Sequence, residues 1–155
     1  MPYIISVVGL KRMPHISRSA LVPFSAEQMY NLVDKIDAYH EFLPWCGYSQ
    51  EIDRGDDWVK GSVTIEKGGL NKTFTTKNYL KKNEKIELTL VDGPFKELQG
   101  FWTFDALKED ACKISLELDY EFSSKMLGLV VGPVFNQIAN AMVDSFVKEA
   151  RVKYG

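Results

Sequence analysis

Apolar residues change their spacing twice along this chain. The stretch from His15 to Val22, bounded by Pro14 and Pro23, reads as a first strand. Ser25-Ala26-Glu27-Gln28 then places a hydroxyl at a helix N-cap and a glutamine three residues on, a capping-box pattern that opens a helix running to about Lys35. Asp37 is positioned to cap a second short helix, which must stop before Pro44 because proline disfavours helical geometry in the residue ahead of it. From Gly47 to Phe122 the period becomes two. Val59, Gly61, Val63 and Ile65, then Ile86, Leu88 and Leu90, then Cys112, Ile114, Leu116, Leu118, Tyr120 and Phe122 alternate with polar or charged neighbours. Such alternation marks an antiparallel sheet with one face in water.

Turn signals at Arg54-Gly55-Asp56-Asp57, Gly68-Gly69, Lys81-Lys82-Asn83-Glu84, Asp92-Gly93-Pro94 and Lys108-Glu109-Asp110 divide that region into six strands, seven with the first. After Phe122 the period returns to 3.6, with Leu127, Val131, Val134, Ile138, Met142, Ser145 and Phe146 on one stripe of a long C-terminal helix. Gly132-Pro133 lies inside this pattern and predicts a kink or a broken first turn, with the regular part running from about Pro133 to Lys153. The order is strand, two short helices, six antiparallel strands, long helix. Its apolar faces meet if a curved seven-stranded sheet wraps around the last helix while the short helices plug an open end, an α+β helix-grip. A sheet bent over one helix rarely fills its own interior, so a cavity between them is expected.

Composition sharpens this picture at a few points. With 155 residues, 45% hydrophobic and 26% charged, the chain matches one compact domain, and folding at this length hides about 70% of the unfolded surface without staples. The net charge of −2 argues against a dedicated nucleic-acid binder. Cys46 and Cys112 lie far apart with no metal-ligand spacing, which points to a reducing compartment and to no metal site. No run approaches the roughly 18 consecutive apolar residues of a membrane span. The apolar start, Tyr3 to Val8, precedes Lys11 and Arg12, the reverse of a signal peptide. Met13-Pro14 reads as an alternative start, which makes residues 13–155 the domain and 1–12 an N-terminal extension.

Candidate chemistry is sparse. His15 falls in the first strand and His40 in the second short helix, neither beside a nucleophile or in a metal-binding spacing. Glu117, Asp119 and Glu121 alternate with apolar residues and belong to the wet face. Tyr39-His40-Glu41-Phe42-Leu43-Pro44-Trp45-Cys46 is unusually apolar for a helix end and loop, and reads either as the lid of a cavity or as a core plug. Residues 67–85 hold six lysines and one acid, a local +5 that leaves −7 elsewhere. That segment is either a solvated strand surface whose lysines discourage edge pairing, or a dock for an anionic surface such as phospholipid or ribosomal RNA.

Several of these segments together resemble the coenzyme-Q-binding START-domain family, which includes the RatA-like ribosome association toxins of bacteria and sits within the polyketide cyclase/dehydrase and lipid transport superfamily. The resemblance covers about Met13 to Lys153. It is carried by Ser17-Arg18-Ser19, Val22-Pro23-Phe24-Ser25-Ala26-Glu27-Gln28-Met29-Tyr30, Tyr39, Phe42-Leu43-Pro44-Trp45-Cys46, Lys72-Thr73-Phe74-Thr75-Thr76, Val91-Asp92-Gly93-Pro94-Phe95, Leu98, Gly100, Trp102 and Phe104. It departs at His40, where the family often has proline.

The resemblance implies a START/SRPBCC-like helix-grip that holds ubiquinone or a related isoprenoid lipid in a hydrophobic tunnel, as a carrier for respiration without catalytic residues. For the bacterial branch it also implies association with the large ribosomal subunit and a block to subunit joining. The expected setting is the bacterial cytoplasm, with the inner-membrane surface as a further anionic partner. On the carrier reading the ligand-binding residues are Phe42, Leu43, Pro44 and Trp45 at the mouth, Leu90, Phe95, Trp102 and Phe104 on the sheet, and Val134, Phe135, Ile138 and Met142 from the last helix. On the ribosome reading the contacts are Lys77, Lys81 and Lys82. An aromatase/cyclase enzyme, as elsewhere in the superfamily, lacks an evident acid/base pair in the predicted lining. One or two isoprene units and a ring, at about 0.8 kcal/mol per buried CH₂, give a gross gain on the order of 10 kcal/mol, enough for useful affinity. A long tail would rival the domain's own size, whose radius of gyration is about 15 Å, so the tunnel is expected to open at one end.

Overall fold

The structure, a computed structural model, describes residues 14–155. The expected extension at 1–12 lies outside them, as does Met13. Strand β1 (His15–Val22) leads into helix α1 (Ala26–Asp34), a single 3₁₀ turn (Ile36–Ala38) and the one-turn helix α2 (Tyr39–Phe42). Strands β2 (Cys46–Arg54), β3 (Trp58–Lys67), β4 (Leu70–Lys81), β5 (Lys85–Asp92), β6 (Phe95–Lys108) and β7 (Ala111–Phe122) follow, then helix α3 (Lys125–Tyr154). The seven strands form one antiparallel sheet in the order β1-β7-β6-β5-β4-β3-β2. Six consecutive strands thus make a meander, and β1 closes it by adding beside β7, with Ile16 opposite Leu118 and Val22 opposite Cys112.

Local chemistry explains most boundaries. The capping box at α1 forms as expected: the Gln28 amide donates to Ser25 Oγ at 3.1 Å and the Ser25 amide donates to Gln28 Oε1 at 2.9 Å. Asp37, in contrast, caps no helix. Its carboxylate accepts the Glu51 amide at 2.6 Å, because the chain there is a 3₁₀ turn lying against β2 rather than the start of a longer helix. His40 uses the backbone N–H that a proline would lack, donating to Ser49 Oγ at 3.1 Å and so fixing α2 to the same strand. At Gly100 a β-carbon would land 2.2 Å from the Glu117 carbonyl oxygen, so only glycine lets β6 approach β7 this closely.

Helix α3 differs from expectation in two ways. It is unbroken from Lys125, capped by Ser124 Oγ, and carries Pro133 inside it. The carbonyl that Pro133 leaves without a helical donor belongs to Leu129, which is 74% exposed, so water can serve it and the helix continues. Its buried stripe centres on Val131, Phe135, Ile138, Ala139, Val143, Phe146, Val147 and Ala150, rotated from the predicted one, with Leu127, Val134, Met142 and Ser145 only half-buried at its edge. The helix is also long and apolar enough to cross a bilayer by length and composition, although polar residues such as Asn136, Gln137 and Asn140 interrupt its apolar run. Its buried stripe lies against the sheet, as in the core helix of a globular fold.

Two apolar clusters fill the space between sheet and α3. One gathers Met29, Val33, Ile86, Phe104, Cys112, Ile114, Phe146 and Ala150 where α1 packs on the sheet and on the end of α3. The other gathers Ile36, Trp45, Val63, Ile65, Phe95, Leu118, Phe135 and Ile138 beneath the first half of α3.

Candidate functional site

The concave face of the sheet and the inner stripe of α3 leave a cavity of about 90 Å³ between them. Its walls come from every layer of the fold: Trp45 after α2, Val63 and Ile65 on β3, Trp102 on β6, Leu116 and Leu118 on β7, and Phe135, Ile138, Ala139 and Met142 on α3. Period-two alternation puts the strand residues on one face, and helical spacing brings the α3 residues opposite them. On β3, Gly61 also lines the cavity; a β-carbon there would stand 2.6 Å from Ile36 Cδ1, so the absent side chain lets the 3₁₀ turn close over the strand.

Of the residues expected to contact a ligand, Trp45, Trp102, Phe135, Ile138 and Met142 line the cavity. Phe95 sits beside it in a ring cluster, 5.0 Å from both Phe122 and Phe135 between centroids. Leu90 and Val134 pack, half-buried, against the same cluster. Phe42 stacks edge-on against Phe146 at 5.3 Å, and Leu43 is 1% exposed in the core. Phe104 packs against Tyr30 at 5.6 Å in the other cluster, away from the cavity. Pro44 is exposed and lines a separate surface groove of about 350 Å³ with Trp45, Gln137, Ile138 and Ala141. Trp45 and Ile138 therefore stand between groove and cavity, with one face on each. The apolar loop Phe42–Trp45 is plug at its start and wall at its end.

Three polar residues at the cavity were not among the ligand contacts expected from sequence. Tyr39 donates its hydroxyl to the Val33 carbonyl, and burial raises its phenol far above the usual tyrosine range, so it is a neutral, already engaged wall residue. Thr76 and Asn78, 8% and 5% exposed, line the cavity from β4. The signal was available: they occupy the same alternate positions as Phe74 and Leu80.

The remaining chemistry is at the surface or inert. His15 lies within 2.6 Å of Asp119 and 3.0 Å of Glu117, and the hydrogen bond to Asp119, helped by Glu117 and opposed by desolvation, raises its pKa above the usual histidine value. Burial pushes the thiols of Cys46 and Cys112 up, so both stay protonated and unreactive near neutrality. Among the described residues no group of His, Cys, Asp and Glu could hold a metal ion. Lys77 lies over the Trp58 ring at 4.5 Å and the Tyr79 ring at 5.4 Å, Lys81 pairs with Glu84 at 3.4 Å, and Lys82 is exposed at the turn after β4.

Comparison with known proteins agrees with this geometry. The sequence profile described as "Polyketide cyclase / dehydrase and lipid transport" matches residues 22–147. The chain is 48% identical over 143 residues to the ribosome association toxin RatA of Vibrio cholerae, covering 92% of this chain and 99% of that protein. It is 27% identical over 153 residues to the mitochondrial coenzyme Q-binding protein coq10 of Schizosaccharomyces pombe, covering 94% and 92%. Among solved structures, the Zhui aromatase/cyclase from Streptomyces sp. R1128 superposes with a TM-score of 0.77 at 15% identity, over 90% of this chain and 94% of the other, a likeness of fold alone. A seven-stranded grip on one long helix, an apolar void at its centre and a profile match across most of its length place this chain in the polyketide cyclase/dehydrase and lipid transport family, with the START-like fold and close similarity to the RatA-type proteins.

Proposed function

We propose that the protein is a non-enzymatic carrier that holds an isoprenoid quinone of the ubiquinone type, or a closely similar lipid, between the sheet and α3, in support of respiratory electron transport. The observation that carries this reading is the central cavity, walled by aromatic and aliphatic side chains and separated from the surface groove by Trp45 and Ile138 alone among the residues the two share. Its walls are mainly apolar, with Tyr39, Thr76 and Asn78 the polar members, and present no reactive pair, which suits transport and not turnover. The name of the S. pombe relative supports the choice of ligand class.

Size sets a condition on this reading. A cavity of about 90 Å³ has room for roughly half a dozen waters at about 10–15 Å³ each, well short of the 300–1,000 Å³ common for ligand pockets. A quinone ring therefore enters only if the wall gives way, and the half-buried side chains of Phe74, Leu88 and Met142 are the ones with room to move. The tail then leaves past Trp45 into the groove. Protein purified from a quinone-producing host and extracted with organic solvent should release a quinone identifiable by its ultraviolet spectrum and mass. Protein that is folded and quinone-free under those conditions removes the carrier reading.

A second reading has its own support. Relatives that are 48% identical over nearly their whole length are named ribosome association toxins, and the outer face of β4 carries Lys77 between Trp58 and Tyr79, with Lys81 and Lys82 at its end. Lysines interleaved with aromatics suit an RNA surface. On this reading the protein binds the large ribosomal subunit and blocks subunit joining. Co-sedimentation with 50S subunits should weaken steeply with salt, and the triple change Lys77→Glu, Lys81→Glu, Lys82→Glu should abolish it. Undiminished sedimentation of the triple variant moves the contact elsewhere.

A further inference from the structure

Strand β4 turns Phe74, Thr76, Asn78 and Leu80 toward the interior, and two consecutive members of that set are polar. Across the register, Thr76 faces Gly61 on β3 and Leu90 on β5, while Asn78 faces Val59 and Leu88. Apolar neighbours on both sides offer nothing to bond. The Thr76 hydroxyl donates to Asn78 Oδ1 at 2.8 Å, which orients the amide with its nitrogen away from Thr76. No acceptor for Asn78 Nδ2 is found among the described residues; the residue is 5% exposed and lines the cavity, and its amide nitrogen is not fully enclosed by protein. Two N–H donors thus face an otherwise apolar void. An amide nitrogen that faces an apolar cavity without a partner is costly. Gly61, opposite Thr76, is covered by Ile36, which offers the pair no partner either.

We infer that Thr76 and Asn78 are the polar anchor of the ligand site: Asn78 Nδ2 donates to a carbonyl oxygen of the bound molecule, and Thr76 holds the amide in that orientation. This rests on the reading that the cavity takes an isoprenoid quinone, and it adds a direction. The carbonyl-bearing ring enters first and sits against β4, and the hydrocarbon tail trails toward Trp45 and Ile138, the walls shared with the surface groove. The same pair discriminates between ligands: an apolar molecule with a carbonyl acceptor gains a hydrogen bond that a plain hydrocarbon of equal bulk does not.

The test uses ligand-free full-length protein and two probes, a ubiquinone with two isoprene units and the oxygen-free isoprenoid hydrocarbon myrcene. Binding of each is read as the ligand-dependent rise in melting temperature, with the quinone also followed by quenching of Trp45 and Trp102 fluorescence. For Asn78→Leu the quinone should bind roughly three- to ten-fold more weakly, the loss of one buried hydrogen bond, while myrcene binds as well as before or better. Unliganded Asn78→Leu loses an unpaired donor but also the acceptor of the Thr76 hydroxyl, so the two effects oppose and its melting temperature should stay near that of wild type; a cooperative melt establishes that the variant folds. Thr76→Val should weaken the quinone less, with myrcene unaffected. Quinone binding unchanged in Asn78→Leu overturns the anchor and leaves the cavity reading standing. So does an equal loss of both probes, which would mean altered shape and not a lost hydrogen bond. Wild-type protein that binds neither probe removes the cavity reading and the anchor with it.

Discussion

The two ends of the grip are built from similar residues and packed differently. Around Met29, Cys112, Ile114 and Ala150, each 0% exposed, helix α1, the sheet and the C-terminal half of α3 converge and leave no space. Around Trp45, Phe135 and Ile138 the sheet and the first half of α3 meet with no third long element, only the 3₁₀ turn and the one-turn helix α2 beside them, and a void of about 90 Å³ remains. The lesson is one of layers. A third packed element turns an apolar interface into solid core, while two curved layers alone leave room that side chains do not fill. The solid core lies at the first end and the proposed ligand site at the second.

Truncation in the solid end should have the largest effect. Phe104→Ala removes a ring that is 2% exposed against Tyr30, so chemical denaturation should register a loss of about 3–5 kcal/mol, with quinone affinity intact in the protein that remains folded. A joint loss of stability and affinity would erase the division between the two ends. Overfilling gives a paired test of intermediate size. Ala150→Leu has no space and should cost about 1–3 kcal/mol. Ala139→Leu points its extra carbons into the cavity and should change stability by less than about 1 kcal/mol while eliminating ligand uptake. Equal costs at the two alanines would mean that the void is not real space.

The smallest effect lies outside both clusters. His15, on the wet face, is held by Asp119 and Glu117, which also accepts the Ser17 hydroxyl at 2.6 Å, and its folded pKa is raised above the ordinary 6.5. A raised histidine stabilises the fold fully below that ordinary value and loses the contribution as pH climbs through the folded one. With the side chain 48% exposed, the effect should stay below about 1 kcal/mol. Denaturation curves from pH 5.5 to 8.5 should show wild type losing slightly more stability than His15→Asn; parallel curves would contradict this. The thiols of the two clusters, raised by burial, should begin to cost stability only at the top of that range, as the unfolded thiols start to ionise, and equally in both proteins.

Element order, the strand turns and the capping box at Ser25 were legible because each depends on residues within a few positions of one another. Asp37 misled for the same reason: a local pattern said cap, and a partner fourteen residues away, the Glu51 amide, took the carboxylate instead. Pro133 misled because sequence does not say which side of the helix it will face, and on the exposed side a missing hydrogen bond is repaired by water. Phe104 and Trp102 sit two apart on one strand and were equivalent by alternation; only the placement of α1 over Phe104 made one of them core and the other cavity wall.

Alternation alone determined that β3 to β7 form a sheet with one apolar face and that the last helix must cover it, since each pattern is written in consecutive residues. What only the tertiary structure decided is where coverage falls short. That depends on how three elements distant in sequence share one surface, and it turned two small polar residues of β4, Thr76 and Asn78, from ordinary strand positions into the polar floor of an apolar chamber.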